Sequence, residues 1–218
     1  MGVVDNFNNI WFQISDKIKL IVVSKNQNIE DILSIYKLGH KYFGENRVQE
    51  LISKYEHLPK DIEWHQIGHL QTNKVKYIAP FVSLIHSVDS LKLLEEINKQ
   101  ALINNRIISC FLQFHIASEE TKFGLSLEEA ELILSSHSYL HLDNIQIQGI
   151  MGMASNVENE EIISKEFNEL KNIFKYLKQK YFFNTNNFTE ISMGMSSDYK
   201  IAIASGSTML RIGSLIFE

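Results

Sequence analysis

Two cationic side chains far apart in the sequence are the residues best suited to do chemistry together. Lys25 ends the first strongly apolar segment, residues 20–25, and Arg211 lies near the C-terminus, just before Gly213 and Ser214. A lysine amine at a strand exit, behind aliphatic residues that keep its stem dry, can attack an aldehyde. A cation followed by a glycine turn suits an anion. Together they predict a site for a molecule that carries an aldehyde and an anionic group.

A second candidate anion site follows the seventh predicted strand. Residues 192–196 form a glycine turn with hydroxyls, directly before a helix that starts near residue 198. Backbone amides at such a turn attract anions, and barrel proteins often bind phosphate after strands seven and eight. The alternative is a plain helix cap, because serine and aspartate also cap helices. The residues predicted to form the phosphate pocket are Ser192, Met193, Gly194, Ser196, Gly213 and Ser214.

Pyridoxal phosphate carries both an aldehyde and a phosphate, and we predict it as the cofactor, bound covalently to Lys25. Arg211 would donate to the ring nitrogen and keep it unprotonated, although an edge or rim salt bridge fits the pattern equally well. Asn46 and His65 end the second and third strands, near enough to touch one ring; their alternatives are a helix cap and a packed histidine. Met151 faces the same mouth, with a core position as its alternative.

Composition and charge argue against several classes of protein. The 218 residues are 44% hydrophobic and 22% charged, as in globular proteins, and the net charge of -5 lacks the basic character of a nucleic-acid binder. No apolar segment approaches the roughly 20 residues that cross a bilayer, and no signal peptide is evident, so we expect a cytoplasmic protein. The single cysteine, Cys110, is expected to be buried and inert, and no residue spacing resembles a metal site.

Apolar strand-like segments alternate with segments of helical period along the whole chain, which indicates βαβ units and a parallel sheet. The predicted strands are residues 19–24, 41–44, 63–67, 83–87, 107–116, 145–151, 188–192 and 208–212. The predicted helices are residues 5–16, 29–38, 47–55, 73–78, 91–102, 126–136, 158–181 and 198–204. Eight strands in this length favour a closed (β/α)8 barrel of the TIM type over an open sheet. We predict a single α/β domain over residues 1–218, with an extra N-terminal helix within residues 1–18.

Several blocks of sequence resemble the pyridoxal phosphate homeostasis protein family, the YggS/PROSC type. The resemblance runs in order from about residue 20 to residue 217. The blocks are residues 22–25 (VVSK), 43–50 (FGENRVQE), 64–74 (WHQIGHLQTNK), 149–151 (GIM), 192–196 (SMGMS) and 206–213 (GSTMLRIG). The chain departs from the family pattern at Asn26 and Gln27, where members carry threonine or glutamine and then proline, and at His115, where asparagine is usual.

The resemblance implies a barrel similar to the N-terminal domain of alanine racemase. It implies a Schiff base at Lys25, a ring-nitrogen contact from Arg211, phosphate contacts from the turns at residues 192–196 and 213–214, and Asn46 near the cofactor. It further implies a role in intracellular pyridoxal phosphate homeostasis, with apo-enzymes that depend on the cofactor as candidate partners. We expect a monomer that is not an enzyme.

Two alternatives of another class are carried forward. An amino-acid racemase of the alanine racemase type needs a second base on the opposite face of the substrate. Because the sequence ends four residues after Ser214, we do not expect the domain that would supply this base. A barrel enzyme acting on a sugar phosphate would need a carboxylate pair at the strand exits, for which Glu45 and Asp89 are the weak candidates.

Overall fold

The computed structural model describes residues 2–14, 16–119 and 123–218. Its centre is a closed barrel of eight parallel strands in sequence order, with β8 paired to β1. The predicted (β/α)8 barrel is therefore confirmed. The strands are β1 (Lys19–Val23), β2 (Tyr42–Glu45), β3 (Glu63–Gln66), β4 (Leu84–Val88), β5 (Ile108–Phe114), β6 (Ile145–Gly152), β7 (Glu190–Ser192) and β8 (Met209–Ile212).

Helices surround this barrel in the described parts of the chain. They are α1 (Val3–Gln13), α2 (Ile29–Tyr36), α3 (Val48–His57), α4 (Val75–Ile78), α5 (Leu91–Ile103), α6 (Leu127–Leu134), α7 (Glu160–Lys180), α8 (Tyr199–Ser205) and α9 (Ser214–Phe217), with short 3-10 turns at Thr72–Lys74 and Tyr139–His141. The sequence pattern did not predict α9, because four residues are too few to show a helical period. None of the described helices is long and apolar enough to cross a membrane.

Local sequence explains where several elements begin and how closely they pack. α6 starts at a capping box, in which Ser126 and Glu129 satisfy each other's backbone amides. Gly149 allows β6 to approach β7, since a Cβ atom there would come within 1.9 Å of the carbonyl oxygen of Glu190. Cys110 is buried, as expected, and burial raises the pKa of its thiol.

The N-terminal helix α1 packs against α2 and α9. Its buried side chains are Phe7 and Ile10. The side-chain amide of Asn6 donates from Nδ2 to the carbonyl of Ile216 at 3.2 Å. Met1 and Ser15, which the predicted helical region includes, lie outside the described residues. α1 therefore rests on the segment that follows β8, close to the strand that carries Arg211.

The barrel interior contains a compact apolar cluster surrounded by polar side chains. The cluster consists of Ile21, Leu84, Phe111, Met151 and Met209, all fully or almost fully buried. Two residues after Leu84 and Met209, on the same inward-facing side of the strands, β4 has His86 and β8 has Arg211. Polar groups therefore begin inside the barrel, before the strands reach its mouth.

Candidate functional site

A cavity of about 570 Å³ opens at the C-terminal ends of the strands, where barrels of this kind place their reactive groups. Six of the predicted site residues line it: Lys25, Asn46, Ser196, Arg211, Gly213 and Ser214. These residues come from the ends of β1, β2, β7 and β8, so the closed barrel brings together positions up to 189 residues apart, from 25 to 214.

Lys25 lies in a tight turn after β1, which the amide of Gln27 closes by donating to the carbonyl of Ser24 at 3.0 Å. Asn26 has a positive φ of 60°, in the left-handed region that asparagine tolerates better than most residues. Lys25 itself is exposed. The predicted dry stem is therefore wrong: the aliphatic residues of β1 are buried, but the turn carries the lysine out of the barrel wall to the cavity.

A buried ion pair supports this turn from below. Lys54 of α3 donates from Nζ to Glu45 Oε1 and to the carbonyl oxygen of Ser24, both at 2.6 Å, and Ser24 Oγ donates to the same carboxylate oxygen at 2.6 Å. Glu45 is fully buried, and burial raises the pKa of its carboxyl, against the opposing effect of Lys54 and Ser24. Glu45 is thus committed to holding the turn, which speaks against the acid–base role considered for it.

Arg211 is buried, although its guanidinium reaches the cavity. Nη1 donates to Ser192 Oγ at 2.6 Å and Nη2 donates to the carbonyl of Gly152 at 3.0 Å. Burial lowers the pKa of Arg211 to about 10, so the side chain stays charged at neutral pH. β8 is paired on both sides, with β1 and β7, so the alternative of an edge salt bridge does not apply.

The glycine turns after β7 and β8 meet at Ser196. Its Oγ faces the backbone amides of Gly213 and Leu215, each 3.4 Å away, which is long for a hydrogen bond. Two amides that converge on one loosely held oxygen are a suitable arrangement for an anion. Gly213 is also tightly enclosed, because a Cβ atom there would lie 3.0 Å from the carbonyl oxygen of Val23.

Three members of the predicted phosphate pocket lie away from the cavity wall. Ser192 is buried on β7, where it contacts Arg211, and Met193 is buried in the outer core. Gly194 has a φ of 98°, and a Cβ atom there would come within 2.5 Å of Ala202. Backbone conformation and packing against α8 therefore require glycine at position 194. The first hydroxyl of the turn that reaches the cavity is that of Ser196.

His65 and Met151 also lie beneath the cavity and not on its wall. His65 is buried, and its Nδ1 lies 2.8 Å from Nε2 of His86. Met151 belongs to the apolar cluster of the barrel interior. For both residues the structure matches the plainer alternative, a packed core side chain. Asn46 shows the reverse: α3 begins after Arg47, so Asn46 is not its cap and lines the cavity instead.

Several residues of the cavity wall are not among the predicted site residues, and they include His69, Gln113 and Phe123. His69 stacks on the ring of Phe123 with the ring centres 4.1 Å apart, and its Nδ1 lies 3.2 Å from the carboxylate of Asp89. Gln113 donates to the carbonyl of Phe123 at 2.8 Å. The signal that could have found His69 and Gln113 is their place near strand ends, since His69 follows β3 and Gln113 is the second-last residue of β5. His115, a departure from the family pattern, contacts the carbonyl of Glu119 at 2.9 Å.

Comparison with known proteins gives close relatives over almost the whole chain. Residues 4–218 match the family described as alanine racemase, N-terminal domain. A pyridoxal phosphate homeostasis protein from Aquifex aeolicus is 40% identical over 200 residues, which cover 91% of this chain and 86% of that protein. A protein of the same name from Helicobacter pylori is 38% identical over 205 residues, with 92% and 87% covered.

Solved structures agree with these relatives. PipY of Synechococcus elongatus, determined without PLP, superimposes with a TM-score of 0.92 at 32% identity and covers 99% of this chain and 100% of that one. The same protein with PLP bound gives a TM-score of 0.89 at 31% identity, with the same coverage. An alanine racemase of Clostridium difficile, at 15% identity and a TM-score of 0.73, covers 99% of this chain and 55% of its own, and shares the fold.

Proposed function

This chain belongs to the family of pyridoxal phosphate homeostasis proteins, and we propose that it binds pyridoxal phosphate in the cavity at the barrel mouth and takes part in the homeostasis of that cofactor. One observation carries the proposal: Lys25, Arg211 and the converging amides around Ser196 wall the same cavity. The amine, the ring-nitrogen donor and the anion site are the three groups that this cofactor requires. That PipY has been determined with PLP bound supports the assignment.

The residues present fit the cofactor part by part. The amides of Gly213 and Leu215 would bind phosphate oxygens in place of the Ser196 hydroxyl, with Ser214 beside them. Arg211 would donate to the ring nitrogen, and Lys25 would hold the aldehyde carbon as a lysine aldimine. Asn46 lines the cavity beside them. When bound, pyridoxal phosphate supplies a reactive aldehyde and a conjugated ring that can accept electrons.

We infer further that the protein holds the cofactor and does not turn over a substrate. Arg211 can only donate, so it would leave the ring nitrogen unprotonated and the ring a weak electron acceptor. The relatives are named for homeostasis, which supports the same view. The finer parts of the proposal are that the protein acts as a monomer in the cytoplasm and that apo-enzymes receive the cofactor from it. Racemisation of an amino acid is the alternative.

Borohydride reduction tests the covalent site. Protein incubated with pyridoxal phosphate, reduced and digested should carry a phosphopyridoxyl group on the peptide containing Lys25. Lys25→Ala should lose the label, whereas Lys74→Ala, which removes a lysine from the loop after β3, should keep it. A label that persists elsewhere in Lys25→Ala at the same yield would contradict the assignment. Intact, unreduced protein loaded with pyridoxal phosphate and incubated with L-alanine in deuterated water should racemise it far more slowly than the roughly 1 to 1000 per second of enzymes. A rate in that range, lost in Lys25→Ala, would favour the racemase.

A further inference from the structure

A chain of side-chain hydrogen bonds crosses the barrel interior and ends at Arg211. Arg211 Nη1 donates to Ser192 Oγ at 2.6 Å, Ser192 Oγ lies 3.0 Å from Nδ1 of His86, and Nε2 of His86 lies 2.8 Å from Nδ1 of His65. The chain joins β8, β7, β4 and β3. Its middle members, Ser192 and His86, are fully buried, and neither of them lines the cavity.

The two partners of the Ser192 hydroxyl determine the direction in which hydrogen bonds are donated along this chain. A guanidinium donates and cannot accept, so Ser192 Oγ accepts from Arg211 and its own proton must go elsewhere. Among the described residues, the other side chain that binds the Ser192 hydroxyl is His86, through Nδ1, and a buried hydroxyl proton without an acceptor is costly. His86 therefore accepts at Nδ1 and carries its proton on Nε2, from where it donates to His65 Nδ1.

The histidines must be neutral for this order to hold, because a charged imidazole has no acceptor nitrogen. Burial lowers the pKa of His65 to about 3 and lowers the pKa of His86 well below its ordinary value, and Arg211 acts on His86 in the same direction. Both rings are therefore neutral at neutral pH. Because Arg211 can only donate, it determines which nitrogen is protonated on both rings.

We propose that Ser192 and His86 are positioning residues for Arg211, and that the one-way chain Arg211–Ser192–His86–His65 fixes both histidines with their protons on Nε2. Ser192 binds Nη1 of the guanidinium and the carbonyl of Gly152 binds Nη2. The remaining N–H donors are left for the cavity that Arg211 lines. Because the supporting groups are neutral, they orient the arginine without cancelling its charge. The part that concerns the cofactor rests on the proposed function.

Ring-nitrogen NMR of the protein without cofactor tests the chain directly. With 15N-labelled histidine at pH 7, His65 and His86 should each show a neutral ring protonated at Nε2, with their signals assigned by comparison with His65→Gln and His86→Gln. A proton on Nδ1 of His86, or a charged ring at either position, would overturn the direction of the chain. This measurement needs no bound cofactor, so it remains decisive if the proposed function fails.

Cofactor binding tests the positioning role. Ser192→Ala should weaken the affinity for pyridoxal phosphate by about tenfold, the effect of losing a hydrogen bond to a charged group. His86 should also lose its preference for the tautomer protonated at Nε2. Ser207→Ala is the matched control, since its buried hydroxyl donates to the carbonyl of Met193 at 2.7 Å near the same strand. Weaker binding in both variants, or wild-type affinity in Ser192→Ala with the fold retained, would refute the role. If Ser192→Ala does not fold, the tautomers of the wild-type protein decide.

Discussion

Two polar networks beneath the cavity support Lys25 and Arg211, and they are built in opposite ways. Under the Lys25 turn lies a charged network, in which Lys54 and Glu45 form a buried ion pair with oxygen and nitrogen 2.6 Å apart. Under Arg211 lies a neutral network, formed by His65, His86 and Ser192. The first network contains full charges and supports an exposed lysine, whereas the three side chains of the second are uncharged and support a buried arginine.

The difference follows from what each cation needs. Lys25 is exposed, and the ion pair supports it through the backbone of its turn, where Lys54 binds the carbonyl of Ser24. Arg211 is buried, and the acceptors that bind it, Ser192 and the carbonyl of Gly152, are neutral, while the charge of Asp198 opposes the lowering of its pKa by burial. The barrel therefore fixes a backbone position with an ion pair and fixes a charged side chain with neutral groups.

Removing one partner of the ion pair should have the largest effect. Lys54→Met would leave the Glu45 carboxylate buried without its cation, and breaking a buried pair in this way costs about 3–5 kcal/mol. We expect urea unfolding to show a loss of that size. Lys171→Met gives a matched lysine on another helix of the barrel. A loss below about 1 kcal/mol for Lys54→Met would mean that the pair behaves as a surface contact, and would remove the contrast between the two networks.

Acid should weaken the neutral network. His65 and His86 have lowered pKa values in the folded protein, so below about pH 6.5 the unfolded chain binds more protons than the folded one. Stability should therefore fall as the pH falls, by up to about 1.4 kcal/mol per pH unit for each histidine, until the pH reaches its folded pKa. His40, also buried, has a pKa lowered to about 4 and should contribute in the same way from outside the network.

The charged network should respond with the opposite sign. The raised pKa of Glu45 stabilises the fold below its ordinary value of 4.5, and this contribution is lost as the pH rises through the folded pKa. Unfolding measured between about pH 4.5 and pH 7 should show a shallower rise of stability with pH in His86→Gln and a steeper rise in Glu45→Gln just above pH 4.5. Equal slopes in both variants and the wild type would break the comparison.

The sequence predicted the barrel and the cavity better than it predicted what lies beneath them. Alternating apolar strands and helical segments were enough for eight strands, and Lys25 and Arg211 stood out because each interrupts an apolar segment at a strand end. Lys54 lies within a predicted helix and gave no signal of burial, since its burial depends on the contact of its Nζ with the carbonyl of Ser24, 30 residues earlier in the chain. Such a contact leaves no trace in local periodicity.

The neutral network shows which signal could have been used. His86 lies in the apolar segment of β4, without any motif, and its partner His65 is 21 residues away. Strand alternation did contain information, because Leu84 and His86 share one face of β4 as Met209 and Arg211 share one face of β8. Ser192, Met193 and Gly194 show the converse: the sequence indicated a turn there, but which of its residues line the cavity depends on a backbone path with a φ of 98° at Gly194.

The smallest expected effect concerns the carboxylate at the rim of the charged network. Glu50 Oε2 accepts the backbone amide of Asn26 at 3.0 Å and lies 3.8 Å from Lys54 Nζ, while the side chain remains 25% exposed. Glu50→Ala should cost no more than about 1 kcal/mol of unfolding free energy, as for other exposed pairs. Its local effect should be clearer: amide exchange at Asn26 should become several-fold faster, because the strained residue beside Lys25 loses its acceptor. Glu96→Ala is the matched control, since Glu96 pairs with Lys99 at similar exposure. Unchanged exchange at Asn26 would mean that Lys54 and Glu45 hold the turn without help from Glu50.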